Sequence, residues 1–255
     1  MIEKVIENRV YKAYWTNELS ESLIHDYSNF HKEVFHSNFT TKAFVSKFIN
    51  NIYGISIHVF VYENDEIIAL RSLWRNDIDN ILAYQPCDTV VSPAHRGGGI
   101  FKYMTDLALT LAGDALIYNY PNDNSRKLYL RNGWEINRVL YKNLYTKKAF
   151  SNNCPDPVIP DDYVRWYFAP MSELRVRKAD DNYLLLSPRG KGLYVIMGRI
   201  SKEIYYSGLF KKSRFGLIFF RSSVKSKIAK LNHPAHIVAR GGYSGFIPFW
   251  KVDAI

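Results

Sequence analysis

Two cysteines in 255 residues, Cys87 and Cys154, are too few for a disulfide framework. The fold must be held by a packed core, and a reducing cytoplasm is the expected compartment. No apolar run approaches the ~18 residues of a membrane-spanning helix, so no transmembrane segment is expected. The first eight residues, MIEKVIEN, carry acids and no apolar stretch, and so do not read as a signal peptide. The chain has no short-period repeat and no low-complexity tract, which excludes solenoids and fibrous classes. It is also short of acids in one place. Residues 151–255 hold 8 Asp/Glu against 17 Lys/Arg, whereas residues 1–150 hold 16 against 17. A basic half suits phosphates on a cofactor, a nucleotide-linked sugar, an anionic membrane or a nucleic acid, and it serves solubility equally well.

What is present is a globular composition, 47% hydrophobic and 23% charged, in a length that fits one large domain or two small ones. The most informative stretch is Asp88–Met104, DTVVSPAHRGGGIFKYM. Thr89, Val90 and Val91 are β-branched and end a strand that Pro93 stops. Arg96-Gly97-Gly98-Gly99 is a loop. Ile100, Met104, Leu107, Ala108 and Leu111 then share one face of a helix. Strand, glycine loop and helix N-terminus together make an anion site, because glycine lets backbone N–H groups approach a phosphate and the helix dipole favours negative charge.

Along the chain, Asn8–Tyr14 reads as a strand, followed by a helix from Thr16 and a shorter one from Thr40. Ile55–Tyr62 and Ile67–Trp74 read as a hairpin turning at Asn64-Asp65-Glu66. His58, in alternation within the first of these strands, reads as a structural histidine, Cys87 as a core residue and His95 as a solvent-facing one. Ile81–Val91 is the strand that feeds the glycine loop. Ala115–Tyr120 is a strand placed to pair in parallel with it. A short helix over Arg126–Arg131 and a long strand over Trp134–Tyr145 follow. The loop-like stretch Ser151–Asp162 divides domains at 1–150 and 151–255. Beyond it Tyr183–Ser187, Gly192–Arg199, Phe215–Phe220, His236–Ala239 and Phe246–Val252 read as strands, and Ser223–Asn232 as a basic helix. Cys154 reads as a loop residue.

The segment VVSPAHRGGGIFKYM resembles the acyl-CoA motif of the GNAT superfamily of N-acyltransferases, with Arg96 and Gly99 in the matching places and Phe101 where a small residue is usual. Asn122–Trp134, NDNSRKLYLRNGW, resembles the family's second segment, with Ser125 for the usual Ala and Trp134 for the usual Phe. The resemblance implies an α/β (α+β) GNAT fold, a mixed central sheet flanked by helices, and acetyl-CoA or another acyl-CoA as cofactor. It implies that Gly97, Gly98, Gly99 and Ile100 hold the pyrophosphate by their N–H groups, with Arg96 adding charge. Val90 and Val91 would pair with the pantetheine arm like a guest strand. Asn122, with Ser125 beside it, would contact the region near the thiol, and Tyr129 would protonate the departing thiolate. Asp88 is the candidate base, directly or through water, or else a ligand of backbone N–H groups. No metal is expected.

The segment Asp161–Phe168, DDYVRWYF, resembles one found downstream of the acyltransferase motif in two-part bacterial GNAT proteins associated with polysaccharide biosynthesis. It implies that residues 151–255 form a degenerate second GNAT-like half covering the acceptor, with Arg165 and Trp166 as candidate substrate contacts or, equally, as packing. The expected activity is transfer of an acetyl or short acyl group to a primary amine, first an amino sugar, nucleotide-linked. The alternatives are an amino acid, peptide or lipid-linked amine, and, in another class, a non-catalytic CoA- or anion-binding module. No nucleic-acid-binding signature is present, and a homodimer is left open.

Overall fold

The computed structural model describes residues 1–153, 156–190, 192–213, 215–225 and 234–251. Cys154 and most of the expected Ser223–Asn232 helix lie outside the described residues. The chain forms two compact units, Met1–Tyr118 and Asn119–Ile255.

The first unit is a sheet in simple sequence order: β1 (Ile2–Ile6), β2 (Arg9–Trp15), β3 (Ile57–Glu63), β4 (Glu66–Arg75), β5 (Ala83–Val91) and β6 (Leu116–Asn119). Every neighbouring pair is antiparallel except β5 and β6. The β3–β4 hairpin turns on Asn64 and Asp65, both at positive φ as a two-residue turn of this hand requires. β1 escapes the sequence reading because its exposed residues carry no alternation toward a core.

Helix α1 (Glu21–Phe35) starts at Ser20, whose Oγ accepts the Leu23 N–H; the expected start at Thr16 is a separate 3-10 turn. Helix α2 (Thr41–Phe44) runs on into a π turn over Val45–Ile49. Tyr27 of α1 packs on His58 and Phe60, which point to one face of β3. Helix α3 (Ile100–Ala112) sends Tyr103 to Tyr11, whose register partner Val61 points to the other face. β3 is therefore covered on both faces, which is why Ile57–Val61 is buried without interruption.

The second unit begins with helix α4 (Asp123–Arg131) and strand β7 (Trp134–Leu144). Helix α5 (Lys147–Asn153) and helix α6 (Asp161–Tyr163), which continues as a π turn to Phe168, come next. Then come β8 (Arg175–Ala179), β9 (Asn182–Pro188), β10 (Leu193–Ile200), α7 (Lys202–Tyr206), β11 (Lys211–Lys212), β12 (Leu217–Ser222) and β13 (Ala235–Arg240). The sheet order is β13-β7-β12-β10-β9-β8-β11. Pairs β10/β12 and β8/β11 are parallel. Phe150, Leu184, Leu186, Ile196, Ile218 and Phe220 form a core cluster on this sheet.

The expected boundary near residue 150 would part β7 from β12 and β13, the two strands it pairs with; the compact units divide after Tyr118 instead. Phe249–Lys251 is a 3-10 turn where a strand was expected. Among the described residues no helix is long and apolar enough to cross a membrane.

Candidate functional site

Strand β5 is built to leave its outer edge open. It pairs with β6 only at Ala83 and Tyr84, so from Gln85 to Val91 that edge carries no ladder among the described residues. On its other side the register against β4 jumps, from Leu70↔Val90 to Ser72↔Cys87. Asp88 and Thr89 thus oppose the single residue Arg71, and Asp88 takes a positive φ of 48°. An extra residue of this kind bends a strand, interrupts its hydrogen bonding and re-aims a side chain. Asp is one of the few residues that accept such a backbone.

The bent strand runs into the glycine loop. Gly97 and Gly99 have φ of 106° and 72°, which a side chain adopts only with strain. Gly99 N–H donates to the Gly97 carbonyl at 2.7 Å, folding the loop onto the start of α3. The first-turn N–H groups of α3, from Ile100 onward, have no intrahelical acceptor and are available to an anion. Arg96 Nε donates to the Val91 carbonyl at 3.3 Å, so the expected cationic side chain lies back along the strand. A second cation arrives from β2, where the Arg9 guanidinium lies within 2.8 Å of the place a Cβ on Gly98 would occupy. Arg9 and His95 both hold Glu63, at 3.0 and 3.1 Å, which fastens the loop to β3 and half-buries a histidine expected to face solvent. Phe101 turns inward, with the buried Arg71 guanidinium over its ring at 4.6 Å.

Under the bulge lies a buried polar chain. The Asp88 carboxylate meets Lys47 Nζ at 3.3 Å and has His31 Nε2 at 3.7 Å. Tyr27 donates its hydroxyl to Asp88 at 3.2 Å and shares a 2.8 Å bond with Ser72. Ser72 bonds His58 Nδ1 at 2.9 Å, and His58 Nε2 bonds Thr16 at 3.0 Å. Burial raises the Asp88 pKa, but Lys47 and His31 outweigh it and hold the carboxylate ionised well below the usual range. Burial pulls the His58 pKa down to about 3, so this imidazole is neutral and structural, as its place in the strand suggested. Cys87 is buried in the core beside Asp88, also as expected.

The remaining expected residues belong to the second unit. Asn122 caps α4: its Oδ1 accepts Ser125 N–H at 2.9 Å and Ser125 Oγ–H at 3.0 Å. Tyr129 is buried on α4 with its ring 4.5 Å from that of Trp134. Arg165 is exposed and paired with Glu203 at 3.0 Å beside an open surface cleft. Trp166 stacks edge-on against Tyr163 and is half-buried, an arrangement that packing alone accounts for.

No family model matches the sequence, and no curated protein matches it. Solved structures do. A GCN5-related N-acetyltransferase from Kribbella flavida superposes with a TM-score of 0.55 at 12% identity, over 90% of this chain and 72% of that one. The chain has the GNAT fold. A conserved Enterococcus faecalis V583 protein of unknown function, inferred to be an N-acyltransferase, gives 0.55 at 10% identity over 90% of this chain and 72% of that one. A Pyrococcus horikoshii protein inferred to be an acetyltransferase gives 0.51 at 10% identity over 97% of both chains. These two likenesses cover nearly the whole chain. At such identities the likeness speaks to fold alone.

Proposed function

We propose that the protein is an acyl-CoA-dependent N-acyltransferase that acts on a primary amine. The observation that carries this reading is the unpaired edge of β5, Gln85–Val91, leading straight into a glycine loop at the N-terminus of α3. An open strand edge accepts an amide-bearing arm as a guest strand, and the loop and helix end accept its phosphates. The residues present fit such a cofactor: Gly98 has no side chain to block approach, and Arg9 stands beside it as a counter-charge. When bound, acyl-CoA supplies the activated acyl thioester.

The chain's own residues do the rest. Backbone groups at Val90 and Val91 orient the pantetheine arm. N–H groups of Gly97, Gly98, Gly99 and Ile100, with Arg96 and Arg9, hold the phosphates. Asn122, seated by its cap with Ser125, presents its segment to the thiol end. Tyr129 would supply the proton that the leaving thiolate requires. Asp88 takes the amine proton through water; held ionised by Lys47 and His31, it is a weak base, so the amine's own pKa dominates the rise of rate with pH. The basic C-terminal region from residue 151 on presents the acceptor, with Arg165 and Trp166 at its margin. The two-part polysaccharide-associated type is the relative we favour. The first acceptor to try is accordingly an amino sugar, nucleotide-linked.

The test is a thiol-release assay with acetyl-CoA against aminodeoxy nucleotide sugars, amino acids, peptides and polyamines. Amine-dependent thiol release with one class supports the reading. Absence of release with all of them, from protein that binds CoA, returns the chain to a binding module.

A further inference from the structure

The second unit contains a cluster of cations with no acid among the described residues to balance it. Arg221 of β12 and Lys142 of β7 are direct register partners across the antiparallel pair. Like charges in that position repel and cost stability. Arg189, which follows β9, adds a third positive charge to the same field: burial is the main cause that lowers the pKa of both Arg221 and Lys142, Arg189 lowers both further, and at Arg221 the Tyr120 phenol works in the opposite direction. No carboxylate among the described residues pairs with any of the three. Other arginines of this unit have oxygen partners: Arg138 has Asp156 at 3.6 Å, Arg177 holds two carbonyls, and Arg199 donates its Nη2 to the Asp156 carbonyl while its Nε, like that of Arg221, has no partner among the described residues.

Two aromatic rings flank the Arg221 guanidinium, Tyr120 and Phe249, each with its centroid 5.4 Å away. They cover part of the planar cation. Two buried polar atoms of the cluster, Arg221 Nε and the Tyr120 hydroxyl, have no hydrogen-bond partner among the described residues. Orphaned buried donors are rare in folded proteins, and each calls for an explanation. The Tyr120 phenol, its pKa pushed up to about 12 by burial, is a neutral donor at physiological pH. Three cations and a phenol donor share one requirement, an acceptor with several negative oxygens.

We infer that Tyr120, Lys142, Arg189 and Arg221 form an oxyanion site that takes the phosphate or carboxylate group of the acceptor. The oxyanion site stands on the geometry of Tyr120, Lys142 and Arg221, and Arg189 contributes its charge. Its assignment to the acceptor rests on the acyltransferase reading, and on the chain position of Tyr120, two residues before Asn122. The substrate class is then a primary amine that also carries an anionic group, and a neutral amine of the same shape is a poor substrate.

The experiment is a thermal-shift and calorimetric titration of the full chain with inorganic phosphate at matched ionic strength, and separately with CoA. The variants are Arg221→Gln and Lys142→Met. Phosphate should raise the wild-type melting temperature. Each variant should weaken phosphate binding about tenfold or more, the loss of one charge-assisted contact, while leaving the CoA shift intact. Without added anion, Lys142→Met should melt above wild type, because it removes a like-charged cross-strand pair. No phosphate shift in wild type, or the same shift in all three proteins, overturns the site. A CoA shift that falls in step with the phosphate shift overturns the acceptor assignment and gives the cluster to the cofactor. Absence of a CoA shift from wild type, with the phosphate pattern intact, overturns the acyltransferase reading and leaves the oxyanion site standing.

Discussion

At the scale of the residue, the buried chain from Thr16 to Asp88 sets a pH dependence whose sign follows from its two ionisable members. His58 is neutral in the fold, with a pKa of about 3 against about 6.5 when exposed. The unfolded chain therefore takes up a proton first. Stability should fall as pH drops from about 6.5 toward 3, by about 1.4 kcal/mol per unit from this group. Asp88 adds a second loss lower down: its stabilisation is present above the ordinary carboxylate range and disappears as pH falls below it. Denaturant melts of wild type and His58→Gln between pH 7 and 4.5 check the first effect; the variant should show the flatter dependence. Tyr129→Phe tests the proton donor. The ring stays packed on Trp134, so the fold and CoA affinity should hold while kcat falls about a hundredfold. An unchanged kcat removes Tyr129 from the mechanism.

At the scale of the element, strand β5, the glycine loop and α3 form one device, and its glycines separate strain from function. Gly98 is not at positive φ, and a Cβ there would meet only the guanidinium end of the long Arg9 side chain. Gly98→Ala should therefore melt within about 0.5 kcal/mol of wild type and still bind CoA at least tenfold more weakly. Gly99→Ala should lose about 1–3 kcal/mol as well, since its φ of 72° strains any side chain and Tyr103 lies 3.0 Å from the added carbon. Much of this device was legible beforehand. Glycine punctuation, β-branched residues and helical spacing are local signals, and they marked the strand, loop and helix correctly. The bulge at Asp88 was not, because an extra residue shows only against the partner strand. Nor was the Lys47–Asp88 pair, which joins residues 41 positions apart with no pattern between them. Arg9 lay hidden for the same reason: nothing in a β2 sequence says that its side chain ends beside a loop ninety residues on.

At the scale of the whole molecule, the two units carry opposite charge. Met1–Tyr118 holds 10 Lys/Arg against 14 Asp/Glu, and Asn119–Ile255 holds 24 against 10. The imbalance is sharper across this boundary than across residue 150, where the sequence reading placed it, because α4 and β7 carry their cations into the second unit. A positively charged unit attracts anionic acceptors over distances that salt shortens. The kcat/KM for a phosphate-bearing amine should fall several-fold between 50 and 300 mM salt, while that for a neutral amine stays level; equal salt dependence would argue against an anionic acceptor. The central claim is that the β5 edge and glycine loop form a CoA site. The most direct measurement is calorimetric titration of CoA into wild type and Gly98→Ala. One site per chain is expected in wild type and about tenfold weaker binding, or more, in the variant. No binding to wild type at millimolar CoA, or equal affinity in both proteins, would contradict it.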